Sequence, residues 1–599
     1  MMNGVSVART IALALAAFTA QAAIAQSPTS ANADARLKAL YEREWDWRQQ
    51  QGLRSGRGGD GDGPTHLPKV DAATQKARLD YWTKALAELD AIPVDQLSPE
   101  EKINAAVFRQ SIETMANDIK YKTYEAPFNA DTFFWSGLNP RSGGFATAQA
   151  YRNYIARMRD IPRFFDEQTA NMRAGLARGF SVPQIAVQGR DVTIKPYLPA
   201  DQTNSFYDAF KEMPSTIPAA EQASLRAEGE KVIRETVAPA YAKLYAFIRD
   251  DYMKKARTTL AGEKQPDGKA FYQAQIKGFT TLDLTPEQIH QMGLKEVARI
   301  KAEMEQVKAS TGFKGDMPAF LKFLRTDPQF YPKTPYELLA KSSYVAKRMD
   351  AKLPETIGFL PRRRFAILPV PPALAPIYTG GRGGLESCLM NTYDLPSRPL
   401  YTLTALTIHE CNPGHSFQSA VAQEATRRPA FRRGTGFSGY GEGWALYWEW
   451  MGSKLGMYET PYEDFGRLSY EMWRASRLVI DTGIHHYGWS RQQAQDYLRG
   501  NTALSEHEIT TEIDRYIAWP GQALAYKLGE MLIRRKRAEA EAALGDKFDQ
   551  RNFHDAILAL GSVPLPVLEA RLDQFIADGG VNPPGFNPAL PEVASAPAS

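Results

Sequence analysis

Residues 409–415 read His-Glu-Cys-Asn-Pro-Gly-His, and two histidines with a glutamate beside the first indicate a metal site on a helix. In the common helical zinc motif the two histidines stand four residues apart, so both imidazoles leave one helix face toward one ion. The glutamate beside the first histidine then acts as a general base. The segment therefore predicts that His409 and His415 bind zinc and that Glu410 takes a proton from water.

The spacing between the two histidines in this chain is six residues rather than four. Six residues turn a regular helix by about 600°, which leaves His415 roughly 120° away from the face of His409. Pro413 has no amide hydrogen and Gly414 tolerates unusual backbone dihedrals, so this pair can distort the turn and bring His415 back. We therefore expect an irregular helix between the two ligands.

A third protein ligand is expected further along the chain, because a catalytic zinc usually has three protein ligands and an open position for water. Residues 441–449 read Gly-Glu-Gly-Trp-Ala-Leu-Tyr-Trp-Glu and predict a helix with Glu442 and Glu449 two turns apart on one face. One carboxylate could bind the metal while the other orients a ligand histidine. The residues alone leave both assignments open.

Four segments in this order resemble the bacterial family called domain of unknown function 885, which is grouped with the zincin-like metallopeptidases. They are residues 409–415, 442–449, 481–485 (Asp-Thr-Gly-Ile-His) and 519–526 (Trp-Pro-Gly-Gln-Ala-Leu-Ala-Tyr). The resemblance covers most of the mature chain, with its specific motifs between residues 391 and 526. It implies a zinc-dependent peptidase.

The resemblance also implies roles for individual residues. The related thermostable carboxypeptidase and thimet-type oligopeptidase families place the metal-binding glutamate at the start of a helix and a second glutamate seven residues later. Glu442 is then the third ligand and Glu449 its support. The same relatives have a tyrosine near the substrate carbonyl, in a turn similar to residues 524–529, which points to Tyr526. His485 matches a motif position of the family itself and is a second candidate donor to the developing oxyanion.

Further residues are candidates for substrate contacts. Asn391 and Tyr393 precede the metal helix in an extended stretch that could pair with a bound peptide as an added strand. Arg477 either belongs to a structural ion network beneath the site, which we favour, or holds a substrate carboxylate. Arg515 is an alternative for such a carboxylate. Neither guanidinium can be placed in space from the sequence.

The rest of the chain predicts a mainly helical protein. A capping hydroxyl followed by proline marks helix starts at Ser98, Thr285 and Thr334. Helical periodicity runs through residues 35–50, 76–92, 223–256 and 293–308. A strand region at residues 365–370, a glycine-rich turn at 380–384 and a short extended stretch at 389–393 precede the metal helix.

Together with these patterns, the resemblance implies a two-lobed zincin-like fold. A helical N-terminal lobe spans residues 35–274, and a metal-binding catalytic lobe spans residues 278–578. We expect a small β-sheet beside the metal helix and a deep central cleft that holds the zinc. The Pro/Ala-rich residues 582–599 predict a disordered tail. With 599 residues, 43% of them hydrophobic, the chain has ample material for a large core.

The N-terminus predicts export. Arg9, an apolar run at residues 11–18 and Ala-Ile-Ala at 23–25 have the layout of a cleavable signal over residues 1–25, so we expect a periplasmic or secreted protein. No cysteine stands at the cleavage point for lipid attachment, and no later run approaches the roughly 20 apolar residues of a membrane span. Cys388 and Cys411 are the two cysteines, and the sequence leaves a disulfide between them undecided.

The favoured function is hydrolysis of short peptides with one zinc per chain. A zinc amidohydrolase acting on a non-peptide or modified amide, and a catalytically silent metal-binding protein, are the alternatives. The 72 basic and 68 acidic residues are interspersed, which argues against a nucleic-acid partner. Internal against terminal cleavage, side-chain preference, oligomeric state and the physiological metal stay open, since this ligand set also suits other divalent ions.

Overall fold

A computed structural model describes residues 28–53, 63–140, 144–372 and 374–582. Helices make up 69% of the structure, as expected for a mainly helical protein. The predicted signal at residues 1–25 lies outside the described residues, and so does the predicted tail apart from its first residue. Within the described ranges, no helix is both long and apolar enough to cross a membrane.

The described helices are labelled α1 to α23 in chain order. Their bounds are α1 Pro28–Gln50, α2 Ala72–Asp90, α3 Pro99–Lys120, α4 Ala148–Arg178, α5 Gln184–Val187, α6 Asp208–Lys211, α7 Ala219–Val232, α8 Ala238–Phe247, α9 Met253–Lys255, α10 Gly268–Thr280, α11 Pro286–Ser310, α12 Met317–Thr326, α13 Pro335–Thr356, α14 Leu403–Glu410, α15 His415–Glu424, α16 Ala430–Gly434, α17 Ser438–Lys454, α18 Pro461–His485, α19 Arg491–Asn501, α20 Glu506–Ala518, α21 Ala525–Leu544, α22 Gln550–Leu558 and α23 Leu565–Ala577. Two π-helical turns, Ile233–Val237 and Ile248–Tyr252, join α7, α8 and α9. The four segments of predicted helical periodicity are therefore confirmed.

The three predicted helix starts are confirmed by their caps. The side chains of Ser98, Thr285 and Thr334 each accept a hydrogen bond from the backbone N–H three residues later. In each case proline follows as the first helical residue. Such a cap stabilises a helix by about 1 kcal/mol, because it satisfies an amide that the helix itself leaves unpaired.

A three-stranded sheet lies beside α14, as predicted. Strands β1 (Ala366–Pro369), β2 (Gly381–Gly383) and β3 (Ser387–Met390) are arranged in the order β1-β3-β2. β1 runs parallel to β3, and β2 runs antiparallel to it. The strand predicted at residues 365–370 is confirmed, but the prediction of a simple turn at 380–384 is wrong, because its glycines pair with β3.

A disulfide fastens this sheet to the metal helix. It joins Cys388 in the middle of β3 to Cys411, the residue directly after α14. Both cysteines are fully buried, in a small apolar cluster with Met390 and Leu403. The pairing that the sequence left open therefore exists, and it ties the end of α14 to the edge of the site described below.

The apolar core does not follow the predicted lobe boundary. One large cluster packs α1, α2 and α3 against α17, α21, α22 and α23, and includes Leu37, Phe108, Trp444 and Phe575. A second packs α4, α7 and α8 against α18, α19 and α20, and includes Phe165, Tyr241 and Ile513. Each cluster combines residues from before position 274 with residues from after position 278. The division into lobes 35–274 and 278–578 therefore does not separate two cores.

Candidate metal centre

Three side chains from three helices converge on one point. His409 lies near the end of α14, His415 begins α15, and Glu442 lies near the start of α17; their ligand atoms are all within 4.8 Å of one another. Glu442 Oε2 is 3.1 Å from His415 Nε2 and 3.4 Å from His409 Nε2. The structure therefore brings together the three ligands predicted from the sequence.

The expected irregularity between the two histidines takes the form of a break. α14 ends at Glu410 and α15 begins at His415, with a cis peptide bond at Asn412–Pro413 between them. The backbone N–H of Gly414 donates to the carbonyl of Ile408. A Cβ at Gly414 would lie 1.8 Å from the carbonyl oxygen of His409, so only glycine allows this close return of the chain. The break redirects His415 toward His409.

Glu449 holds His409 from behind, in the place expected of a supporting carboxylate. The Nδ1–H of His409 donates to Glu449 Oε1 at 2.7 Å, which leaves Nε2 on the side of Glu442. Arg474 lies 3.3 Å from the same carboxylate oxygen. Burial alone would lower the pKa of His409, but the carboxylates of Glu442 and Glu449 outweigh it and raise the pKa to about 10. Glu449 thus fixes which ring nitrogen faces the cluster.

Glu442 is ionised in this arrangement. Burial alone would raise the pKa of its carboxyl, but the imidazoles of His415 and His409 hold that pKa well below its usual range. The carboxylate is therefore a charged oxygen donor between two ring nitrogens, which is the form that binds a divalent cation.

Glu410 is positioned by the edge strand β2. Its Oε2 accepts a hydrogen bond of 2.7 Å from the backbone N–H of Gly383. A Cβ at Gly383 would lie 2.0 Å from the carbonyl oxygen of Glu410, so a larger residue would push the strand away. The contact is not among the features predicted from the sequence. The glycine run at residues 380–384 is its signal, but a predicted turn does not include it.

Tyr526 lies beside the cluster at the start of α21. Its ring is parallel to the ring of His409 within 13°, with the ring centres 6.5 Å apart. The phenol oxygen accepts a hydrogen bond of 3.3 Å from Arg515, and the guanidinium of Arg477 lies over the ring. The predicted tyrosine is thus next to the predicted ligands.

Close contact between α17 and α21 fixes that position. A Cβ at Gly443 would lie 2.6 Å from the backbone of Gly529, and the two helices therefore touch backbone to backbone. Gly443 directly follows Glu442, and Gly529 is three residues after Tyr526. The pair of glycines sets the distance between the ligand and the tyrosine.

Arg477 belongs to a buried network of polar side chains, which is the structural one of its two predicted roles. Its side chain is 2% exposed, and it donates to Glu512 at 2.9 Å and to the hydroxyl of Tyr516 at 2.8 Å. It lies beneath the ring of Tyr526. Arg515, whose side chain is 19% exposed, is the more accessible guanidinium beside that tyrosine.

The two candidates in the extended stretch differ. Asn391 is fully buried, and its amide donates to the carbonyl oxygens of Ala375, Tyr378 and Thr379 while its side-chain oxygen accepts from the backbone N–H of Tyr393. Its role is therefore to shape the loop before β2, and this geometry does not support a substrate contact. The side chain of Tyr393 is half exposed.

His485 is not part of the cluster. Its Nδ1 accepts from the backbone N–H of Gly262 at 3.0 Å, and its Nε2 donates to the carbonyl of Tyr516 at 2.9 Å. Burial lowers the pKa of this imidazole to about 3, so the ring is neutral. Because backbone groups occupy both nitrogens, the predicted role of His485 as a catalytic donor has no support in this geometry.

Comparison with known proteins identifies the family. A sequence model described as bacterial protein of unknown function, DUF885, matches residues 49–572. The chain belongs to the DUF885 family. Among curated proteins, none matches this DUF885 chain. The predicted resemblance is therefore confirmed at the level of the family, while its grouping with zincin-like metallopeptidases stays a prediction.

Two solved structures share the fold of this DUF885 chain. One is a "putative lipoprotein" from Colwellia psychrerythraea, 27% identical, with a TM-score of 0.82; the match covers 92% of this chain and 100% of the other. The second is a "putative lipoprotein of unknown function" from Shewanella oneidensis, 18% identical, with a TM-score of 0.66 and coverage of 89% and 98%. Because the second protein is only 18% identical, its similarity shows a shared fold and nothing more.

Proposed function

We propose that this DUF885 protein is a zinc-dependent peptidase that cleaves short peptides, with one zinc per chain on His409, His415 and Glu442. The observation that carries the proposal is the convergence of these three donors within 4.8 Å, with Glu410 directly beside the first. Two imidazoles and one carboxylate are a common donor set of catalytic zinc. A general base adjacent to a ligand is not needed for metal binding alone, so its presence favours an enzyme.

The donor set fits a divalent cation. Glu442 contributes a charged oxygen between two ring nitrogens. Glu449 accepts a hydrogen bond from His409 Nδ1 and so leaves Nε2 of that ring for the cation. A zinc ion bound there would polarise a substrate carbonyl and make water a stronger acid near neutral pH. The predicted central cleft around the site is part of this proposal.

The chain's own residues supply the proton transfers. Glu410 takes a proton from the attacking water and returns it to the leaving amine, a role typically worth about 10²–10⁴-fold in rate. The backbone N–H of Gly383 keeps its carboxylate in place. Tyr526 donates its phenol hydrogen to the oxygen of the scissile carbonyl, and Arg515 makes that phenol a better donor by donating to its oxygen.

The proposal includes export to an oxidising compartment. The buried disulfide between Cys388 and Cys411 fits the periplasm or the exterior better than the cytosol. The name of the Colwellia psychrerythraea relative, a "putative lipoprotein", is consistent with that location.

The test is hydrolysis of a mixed peptide library by zinc-supplemented protein, read by mass spectrometry of the products. The Glu410→Gln variant removes the base, and Glu386→Gln, whose side chain is 83% exposed, is the matched control. We expect cleavage by the wild type and Glu386→Gln, and a loss of about 10²–10⁴-fold in Glu410→Gln.

Two other outcomes would replace the proposal. Hydrolysis of a panel of acylated amines without cleavage of any peptide would favour the amidohydrolase alternative. Stoichiometric zinc binding without hydrolysis of either panel would make the protein a silent metal-binding protein.

A further inference from the structure

A cavity of about 350 Å³ lies next to the metal cluster, between α15, the start of α17 and the loop after α22. Its size is within the range of small-molecule and side-chain binding pockets. The three ligands do not line it within the described part of the chain. Gly441 does, and it directly precedes Glu442.

The cavity continues the two helix faces that carry the ligands. On α15, Gln418 and Ser419 follow His415 by three and four residues, so they lie one turn along the same face. On α17, Ser438 precedes Glu442 by four residues and lies one turn before it on that face. One turn of helix is about 5.4 Å, so a peptide bound at the cluster can place a neighbouring side chain in the cavity.

The walls of the cavity select an uncharged side chain. Five of its lining residues are apolar or aromatic, namely Val421, Ala422, Phe437, Tyr440 and Leu558. Hydroxyl groups and glycine backbone make up most of the rest, and none of the thirteen lining residues carries a charge. An ionised side chain would lose its hydration there, and none of the lining residues would offer it an opposite charge. Arg428, which lies against Gly561, already donates to the carbonyl oxygens of Leu558 and Ala559.

Gln418 offers an unused hydrogen-bond donor at the side of the cavity nearest the cluster. Its Nε2 is buried and has no hydrogen-bond partner among the described residues. Leaving such a donor unsatisfied is unfavourable, so rotation of the amide toward a ligand carbonyl in the cavity would be stabilised. The carbonyl groups of a peptide backbone supply that acceptor.

We propose that this cavity is the subsite for the side chain of a substrate residue adjacent to the cleaved bond, that it accepts apolar and aromatic side chains, and that Gln418 donates to the backbone carbonyl of the same residue. The inference rests on the proposed peptidase function and adds the substrate class: peptides with an uncharged, bulky residue next to the scissile bond.

Two variants narrow the cavity from opposite walls. Ala422→Phe places a ring in it from α15, and Gly436→Leu does so from the segment before α17, where a Cβ would meet no atom within 4 Å. The matched controls are Gln423→Phe, at an exposed position of α15, and Gly500→Leu, where a Cβ also meets nothing within 4 Å. Thermal melting and zinc content verify that each variant is folded and loaded.

The measurement uses peptides identical except for one residue, which is Leu, Gly or Asp. Their dissociation constants are measured on zinc-loaded Glu410→Gln protein, and their kcat/KM values on protein that retains Glu410. We expect Leu to be preferred over Gly and Asp by about 10- to 100-fold, as for a filled apolar subsite. Ala422→Phe and Gly436→Leu should abolish this preference by weakening the binding and lowering the kcat/KM of the Leu peptide, and the two controls should retain it.

The outcomes separate the subsite from the proposed function. Peptides that are cleaved with no preference, or with a preference that both cavity variants retain, would overturn the subsite and leave the peptidase intact. Peptides that bind with the expected preference but are never cleaved would support the subsite and overturn the peptidase. If no peptide binds or is cleaved, both proposals are overturned.

Discussion

The protein contains two groups of largely buried carboxylates, and it neutralises them in different ways. In the first, Lys527 Nζ lies 3.0 Å from Glu296, 2.9 Å from Glu471 and 2.8 Å from Glu530. Three arginines, at positions 299, 467 and 534, pair with the same carboxylates. In the second, Glu442 lies between His409 and His415.

The difference shows what each group requires. A buried carboxylate needs a nearby cation, or its burial is strongly unfavourable. The group around Lys527 contains its own lysine and arginine cations and is complete as it stands. Glu442 faces two imidazoles, which bind a metal in their neutral form. The nearby carboxylates raise the pKa of His409 to about 10, so a bound cation would take the place of the proton on that ring. We therefore interpret the Lys527 group as structural and the Glu442 group as a site completed by an external cation.

Loss of the Lys527 ammonium group should cause the largest decrease in the free energy of unfolding. In Lys527→Met three carboxylates are left around an uncharged side chain, and we expect the free energy of unfolding to fall by about 3–5 kcal/mol. Zinc content should not change. Urea unfolding measures the first quantity. In the control Lys243→Met, which removes an exposed pair with Asp166, the change should stay below about 1 kcal/mol. Equal effects of the two variants would contradict the structural role.

The disulfide should matter to both stability and the metal site. Replacing Cys388 and Cys411 by serine opens a link between residues 23 apart in sequence, and we expect a loss of about 3 kcal/mol in unfolding free energy. Because Cys411 directly follows Glu410, zinc affinity should fall as well, unlike in Lys527→Met. Chelator competition and urea unfolding test the two parts. A double variant with wild-type zinc affinity would show that β3 does not hold the site.

Glu449 should influence zinc affinity although it is not itself a ligand. Glu449→Gln weakens the hold on His409, and we expect the zinc dissociation constant to rise by about 10- to 100-fold. Competition with a chromophoric chelator measures it, with Glu459→Gln as a partly exposed control. A loss as complete as that in a ligand variant would mean that Glu449 itself binds the metal.

The smallest effect at neutral pH concerns two histidines that bind no metal in this account, because their contribution appears only in acid. Burial lowers the pKa of His485 and of His554 to about 3, below the usual value of 6.5. The unfolded chain therefore takes up protons as the pH falls below about 6.5, while the folded chain does not until about 3. Each ring should lower stability by up to about 1.4 kcal/mol per pH unit in that window, with no effect above it.

Midpoints of urea unfolding between pH 8 and pH 4 test this prediction. In His554→Asn the number of protons taken up on unfolding in acid should be lower by one. His554 is bonded to Thr356 and Tyr447, away from the metal ligands. An unchanged acid dependence in the variant would show that this histidine is charged in the fold or does not contribute.

The features that could be predicted from the sequence depend on residues that lie close together along the chain. The capped starts of α3, α11 and α13 were predictable because hydroxyl, proline and amide lie within one turn. The convergence of His409 and His415 could be predicted because the motif is local, although the spacing of the histidines demanded an irregular helix. The choice of Glu442 rather than Glu449 as the third member of the cluster came from the resemblance to related families. The break at Gly414 supplies that irregularity.

The sequence could not predict contacts between distant segments. The packing of α1, α2 and α3 against the last helices of the chain, across the predicted lobe boundary, is one such contact. His485 resembled a functional motif position, but its partners Gly262 and Tyr516 come from other segments that satisfy both nitrogens. Likewise, the contact of Gly383 with Glu410 depends on a strand pairing that a run of glycines alone does not specify.

The most direct test of the account is the zinc content of purified, dialysed protein, measured by mass spectrometry after reconstitution with zinc. His409→Ala removes a proposed ligand, and His485→Ala removes a buried histidine with two backbone partners. We predict about one zinc per chain in the wild type and in folded His485→Ala, and none above background in His409→Ala. A wild type that cannot be loaded, or a His409→Ala variant that retains its zinc, would contradict the assignment of the metal centre.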